Sequence, residues 1–272
     1  MVGRSDENQS YLLATGEQTV SRLELLDRIF GPGARDLLKT AGLAPGMRVA
    51  EIGCGTGQMA LWIAVQVGSN GSVVAVDASR EQLEVAEGSA EKAGIRNLSF
   101  HEATAYELGL PAQSFDMVYS RFLFCHLDDP ARAIREMKSI LKPGGVLVCE
   151  DHDDGGIFTE PQTRAYLRLV EISDAVNRAR GLDSFIGLKL PGLVRTAGFS
   201  HPNVRVNQLA FLHGEEKRFW EITLREAAPA IFAAGASTPD ELESICKEMQ
   251  TIAADESILV LLARVTQVWA QS

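Results

Sequence analysis

Val49-Ala50-Glu51-Ile52-Gly53-Cys54-Gly55-Thr56-Gly57 decides the fold. A short apolar run, residues 47–52, ends at three alternating glycines, and a helical pattern over residues 58–67 begins directly after them. Glycine lets a tight turn take left-handed backbone and brings main chain close to a ligand, while a helix N-terminus offers unpaired N–H groups. The spacing is GxGxG with an acid two residues ahead, whereas a dinucleotide fingerprint reads GxGxxG around a pyrophosphate. A carboxylate in that place suits a cationic group better than a phosphate.

Outward from this turn, strand and helix patterns alternate. Residues 72–76 form a β-branched run stopped by Asp77, and residues 80–92 are helical with Gly94 closing the helix. Further strands are expected at 98–102, 115–120 and 146–150, with a helix over 130–141 ended by Lys142-Pro143-Gly144-Gly145. This alternation predicts βαβ units and a parallel sheet whose ligands sit beyond the carboxyl ends of the strands. Upstream, two helices are expected, over 18–30 and 34–41, separated by Gly31-Pro32-Gly33. Downstream, helices are expected over 160–179, 188–197, 215–234 and 239–253, with a strand over 203–211 and a long final strand over 258–269. The expected architecture is an α/β, Rossmann-like, seven-stranded and mostly parallel sheet with helices on both faces. A helical cap would occupy residues 1–45 and the sheet domain residues 46–272, with helical insertions near 157–185 and 212–256, the latter a lid.

The 272-residue chain is 46% hydrophobic and 23% charged, the mix of a folded globular protein. Its formal net charge of −10 repels phosphate backbones and anionic lipid, so neither nucleic acid nor membrane is an expected partner. The cysteines Cys54, Cys125, Cys149 and Cys246 form no CxxC pair, which suits a reducing, cytoplasmic setting. The polar first ten residues lack the apolar core of a signal peptide, and the longest apolar run is too short to span a bilayer.

Asp77 stands about 20 residues past the glycines, where a carboxylate at a strand end holds ribose hydroxyls in nucleotide-binding βαβ units. With it, the chain resembles the class I S-adenosylmethionine-dependent methyltransferases that act on small molecules. The matching pieces are residues 49–57, Val73-Val74-Ala75-Val76-Asp77-Ala78, Ser114-Phe115-Asp116-Met117-Val118-Tyr119-Ser120, His126-Leu127-Asp128-Asp129-Pro130 and Leu141-Lys142-Pro143-Gly144-Gly145. The resemblance implies S-adenosylmethionine as cofactor and S-adenosylhomocysteine as product. Glu51, Gly53, Cys54, Gly55, Gly57 and Gln58 would face its methionine part, Asp77 its ribose and Ala78 its adenine. It also implies an Asp-Ala pair after the third strand; this chain has Thr104-Ala105 there, a departure that leaves a weaker acceptor for the adenine amine. Ser120 and Arg121 fall where the family meets the methionine end, and Arg121 suits its carboxylate.

A sulfonium methyl is already electrophilic, so few catalytic side chains are needed beyond positioning groups and a base. His126 is the expected base, with His152 in the run Glu150-Asp151-His152-Asp153-Asp154 the second candidate. That run also resembles a metal-ligand set, but alternate residues of an extended segment point to opposite sides, so no metal is expected. Tyr11, Asp151, Tyr166 and Trp220 are expected around the acceptor. The expected reaction is methyl transfer to oxygen, nitrogen or carbon of a small, partly apolar metabolite, by a monomer or homodimer. The alternative is a protein that binds S-adenosylmethionine and catalyses another reaction, such as a cyclisation.

Overall fold

The computed structural model describes residues 20–272, with side chains from residue 22 onward. Helix α1 (Val20–Thr40) comes first and runs unbroken through Pro32, in place of the two helices expected around Gly31-Pro32-Gly33. Close packing explains those glycines. A Cβ on Gly33 would sit 3.2 Å from Asn207 Nδ2, and one on Gly31 only 2.7 Å from Asp27 Oδ1. The glycines therefore let the helix lie against the sheet and let the Asp27 carboxylate fold back along it.

Then follow β1 (Arg48–Ile52), α2 (Gln58–Val67), β2 (Ser72–Asp77), α3 (Arg80–Lys92), β3 (Leu98–Glu102), β4 (Phe115–Arg121) and α4 (Pro130–Ile140). Their bounds match the sequence periodicity closely. Ser79 and Asp129 cap α3 and α4 with their side-chain oxygens, and Pro130 opens α4 where its missing N–H costs nothing. The next strand, β5 (Leu141–Asp153), is much longer than the expected 146–150. It carries Asp151, His152 and Asp153 as strand residues, not as a loop.

Beyond it lie β6 (Phe158–Glu160), α5 (Arg164–Ala179), α6 (Ile186–Thr196), β7 (Asn203–Asn207), β8 (Ala210–Phe211), α7 (Phe219–Ala233), α8 (Pro239–Ala254), β9 (Leu259–Leu261) and β10 (Arg264–Gln271). The expected strand over 203–211 is thus two strands, as is the one over 258–269. In each case the second piece belongs to a different sheet. The main sheet has the order β3-β2-β1-β4-β5-β10-β7, with β10 antiparallel to both neighbours; β6, β9 and β8 form a small second sheet.

In the main sheet, chain order reverses between β1 and β4, which opens the crevice at their carboxyl ends. One apolar cluster packs α1 and α2 against one face, and another packs α4 and α6 against the opposite face. A third joins α1, α5, α7 and α8 over the small sheet. The ends of this last unit meet on Lys217. It is fully buried, and its Nζ donates to the carbonyls of Leu212, Asp255 and Ile258 at 3.1, 2.6 and 3.0 Å.

Candidate cofactor and acceptor site

The glycine turn has the backbone its sequence called for. Gly53, Gly55 and Gly57 have φ of 75°, 53° and 78°, in the left-handed region that favours glycine. A Cβ on Gly57 would meet Ala86 Cβ at 2.8 Å, and one on Gly53 would meet Leu123 Cδ1 at 3.0 Å, whereas one on Gly55 would meet nothing. The outer glycines are therefore needed for packing and the middle one faces open space. Gly53 and Cys54 donate to the Val76 carbonyl, tying the turn to β2. Asp77 then accepts from the N–H groups of Gly55 (2.8 Å) and Ser79 (2.9 Å). Burial pushes this carboxyl up, opposed by those backbone N–H groups. Gln58 opens α2 half-buried, with no side-chain cap at Gly57, and Ala78 is exposed at the rim.

Beside the turn, strand pairing aligns polar side chains on the face covered by α1. Glu51 pairs with Tyr119, Arg121 with Glu150, and Glu150 with Gln267. Tyr119 donates to Glu150 at 2.7 Å and Gln267 to its other oxygen at 2.6 Å. Arg121 reaches Asp27 of α1 at 3.0 Å, and Asp27 also holds Arg35 at 2.5 Å. Asp27 was missed in the sequence, because an acid in an amphipathic helix carries no sign that it will meet a strand end. In this network Glu51 Oε2 and Arg121 Nη1 are buried without a hydrogen-bond partner. Burial above all, with Asp27 and Asp77 adding and Arg121 opposing, pushes the Glu51 carboxyl up to about 8.

The remaining expected residues divide. Ser120 is fully buried with its hydroxyl unpartnered. Thr104 is half-buried after β3 in an isolated bridge with Glu107, and Ala105 is buried beside it. Cys54 is buried, its thiol pushed well up by burial and by Asp77 and Glu51.

Near the ends of β4 and β5, His126 sits in a 3₁₀ turn (Phe124–His126). Burial first, with smaller contributions from His152, Arg180 and Arg22 and against Asp151, lowers it to about 4. His152 has Nδ1 3.1 Å from Asp151 and Nε2 3.4 Å from Asp154. Although burial opposes it, Cys125 and these carboxylates hold its pKa well above the usual imidazole range, so it stays protonated. Asp151, expected at the acceptor, is fully buried and spent on the N–H groups of Phe124, Cys125 and His152. Tyr166, expected there too, lies in the packed interior with its hydroxyl donated to the Lys217 carbonyl at 3.2 Å. Trp220 is buried with Nε1 unpartnered, and Tyr11 lies outside the described residues. Cys125, Asp151 and His152 bring ligand-type atoms within 4.8 Å of one another. Each of the three already contacts a protein partner, Cys125 through a 3.4 Å contact to the Phe122 carbonyl.

Residues 50–149 match the family described as a methyltransferase domain. An uncharacterized methyltransferase of Bacillus subtilis (strain 168) is 35% identical over 129 residues, 46% of this chain and 49% of its own. Residues 50–149 form a class I, S-adenosylmethionine-dependent methyltransferase domain. The chain spans about half the length of the curated relatives it matches first. Among solved structures, the YcgJ protein of Bacillus subtilis superposes with a TM-score of 0.57 at 22% identity, covering 86% of this chain and 96% of its own. A [4+2]-cyclase, SpnF, has a TM-score of 0.53 at 19% identity, covering 96% and 84%. Both likenesses are likenesses of fold.

The cofactor of this methyltransferase family is S-adenosylmethionine, and the residues present fit it. Its amino-acid end carries an ammonium and a carboxylate, and the buried unpartnered atoms beside the turn include an acceptor, Glu51 Oε2, and a donor, Arg121 Nη1. The open space over Gly55 admits a ligand against main chain, and Asp77 retains lone pairs beyond its two backbone bonds.

Proposed function

We propose that this protein transfers a methyl group from S-adenosylmethionine to an oxygen, nitrogen or carbon of a small, partly apolar metabolite, releasing S-adenosylhomocysteine. The pairing of unpartnered Glu51 Oε2 with unpartnered Arg121 Nη1 beside an open glycine turn carries this reading. When bound, the cofactor supplies a sulfonium-activated methyl. Glu51 and Arg121 hold its charged end, Asp77 its ribose, and Thr104 and Ala105 border its adenine, where a hydroxyl replaces the family's usual carboxylate.

His126 is the residue suited to take a proton from the acceptor. Held down to about 4, it is neutral near pH 7, whereas His152 is kept charged between two carboxylates. His152 therefore acts as a fixed positive charge and not as the base. The helices α7 and α8, inserted between the last two strands of the main sheet, serve as the lid. The net charge of −10 argues for a small acceptor over nucleic acid. Among the described residues, no helix is long and apolar enough to cross a membrane.

Two measurements test this together. Calorimetric titration with S-adenosylhomocysteine should show tight binding that Asp77→Ala weakens at least ~30-fold, about 2 kcal/mol. Mass spectrometry should detect S-adenosylhomocysteine formed from S-adenosylmethionine and an acceptor panel, with His126→Ala cutting the rate ~100-fold at unchanged cofactor affinity. Unchanged affinity in Asp77→Ala would overturn the cofactor assignment. Binding without any S-adenosylhomocysteine formed would favour a reaction other than methyl transfer.

A further inference from the structure

The groups acting on His126 from neighbouring elements are unequal in sign. Asp151 raises its pKa, and the oxygens of Asp151 accept backbone N–H groups; His152 from β5, Arg180 from the end of α5 and Arg22 from α1 are cations that lower it. Arg22 is 3% exposed. Its Nε donates to Glu226 of α7 at 2.7 Å, but its Nη2 is buried with no hydrogen-bond partner. A guanidinium left short of acceptors in a buried place is costly, because its lost hydration is not replaced. That cost is recovered if a ligand brings the missing acceptor.

Aromatic rings run away from the same place. His152 meets Phe122 at 5.8 Å, Phe122 meets Phe30 at 5.1 Å, Phe30 meets Phe219 at 5.9 Å, and Phe219 meets Trp220 at 5.0 Å, all edge to face. A charged corner thus borders an apolar wall.

We propose that the methyl acceptor is a small acid with an apolar body, whose anionic group is taken by Arg22 with Arg180 beside it. This rests on the methyl-transfer reading and names the substrate class for the same site. An anion seated among Arg22, Arg180 and His152 also cancels part of the field that holds His126 down. Acceptor binding then makes His126 a stronger base when one is needed.

The test uses three probes of one shape, namely benzoate, phenyl phosphate and neutral benzamide. They are titrated calorimetrically into the full chain with and without saturating S-adenosylhomocysteine. Either anion should bind at least ~10-fold more tightly than benzamide, and the stronger of the two identifies carboxylate or phosphate as the head group. Arg22→Met should erase the preference, while Glu226→Gln, which frees the guanidinium, should keep or increase it. If Arg22→Met is not folded by circular dichroism, Arg180→Met carries the same expectation. Equal binding of benzoate, phenyl phosphate and benzamide to the wild type would overturn the proposal, as would an anion preference that survives the loss of Arg22 or, where that variant does not fold, of Arg180. Loss of S-adenosylhomocysteine binding with the anion preference intact would fault the cofactor reading alone.

Discussion

Glu51 is a carboxyl group kept largely protonated near neutral pH by its burial, and this has a measurable consequence for stability. Its folded value of about 8 lies above the ordinary 4.5, so the native state binds a proton that the unfolded chain has lost between those values. The sign follows directly. The contribution is fully present below pH ~4.5 and is lost as pH rises through about 8, by up to ~1.4 kcal/mol per pH unit. In the cofactor-free protein, Tm should therefore fall between pH 5 and 8.5, and Glu51→Gln should flatten much of that slope. A slope identical in the variant would show that Glu51 is not the group responsible. The sequence marked Glu51, Asp77 and the glycines because their chemistry is local. Asp27 and Arg22 were invisible because each acquires its meaning from an element far away in the chain.

At the scale of elements, α1 shows how a break signal can mislead. Gly31-Pro32-Gly33 has the composition of a turn, yet the helix continues, since packing against β7 and β10 outweighs a propensity deficit of a few kcal/mol. Gly33→Leu should lift this helix from the sheet, draw Asp27 from Arg121, and weaken S-adenosylhomocysteine binding ~10-fold; calorimetry with an unchanged Kd would refute the coupling. Lys217 is the second case. It stands in the charged stretch Glu215-Glu216-Lys217-Arg218, but its ammonium ties three carbonyls at the two ends of the inserted helices. Lys217→Met leaves those carbonyls buried and unpaired and should cost roughly 3–5 kcal/mol, lowering Tm by about 10 °C in scanning calorimetry. A drop under ~3 °C would show that the clamp bears little of the stability.

For the whole molecule, the first half was almost fully legible. Each βαβ unit announces itself by a change of period and a capping residue, and β1 through α4 fall within a residue or two of expectation. The second half was legible in kind but not in partition. Apolar runs such as 203–211 and 258–269 show extended chain, yet nothing local says where a strand leaves one sheet for another. The length of β5 was hidden for a related reason: acids look like loop until a neighbouring strand, here β10, pairs with them. The proposed site followed the same division, with its cofactor side written in motifs and the proposed acceptor side drawn from α1, α5, α7 and the end of β5.

In the proposed complex the Glu51 carboxyl, held up at about 8, takes the cofactor's ammonium and ionises, so near pH 7 cofactor binding should expel ~0.9 proton into solution. The apparent heat of binding would then depend on the buffer that catches it. Titrations in phosphate and in Tris should differ by about that fraction of the difference between the buffers' ionisation heats, and Glu51→Gln should make the two coincide.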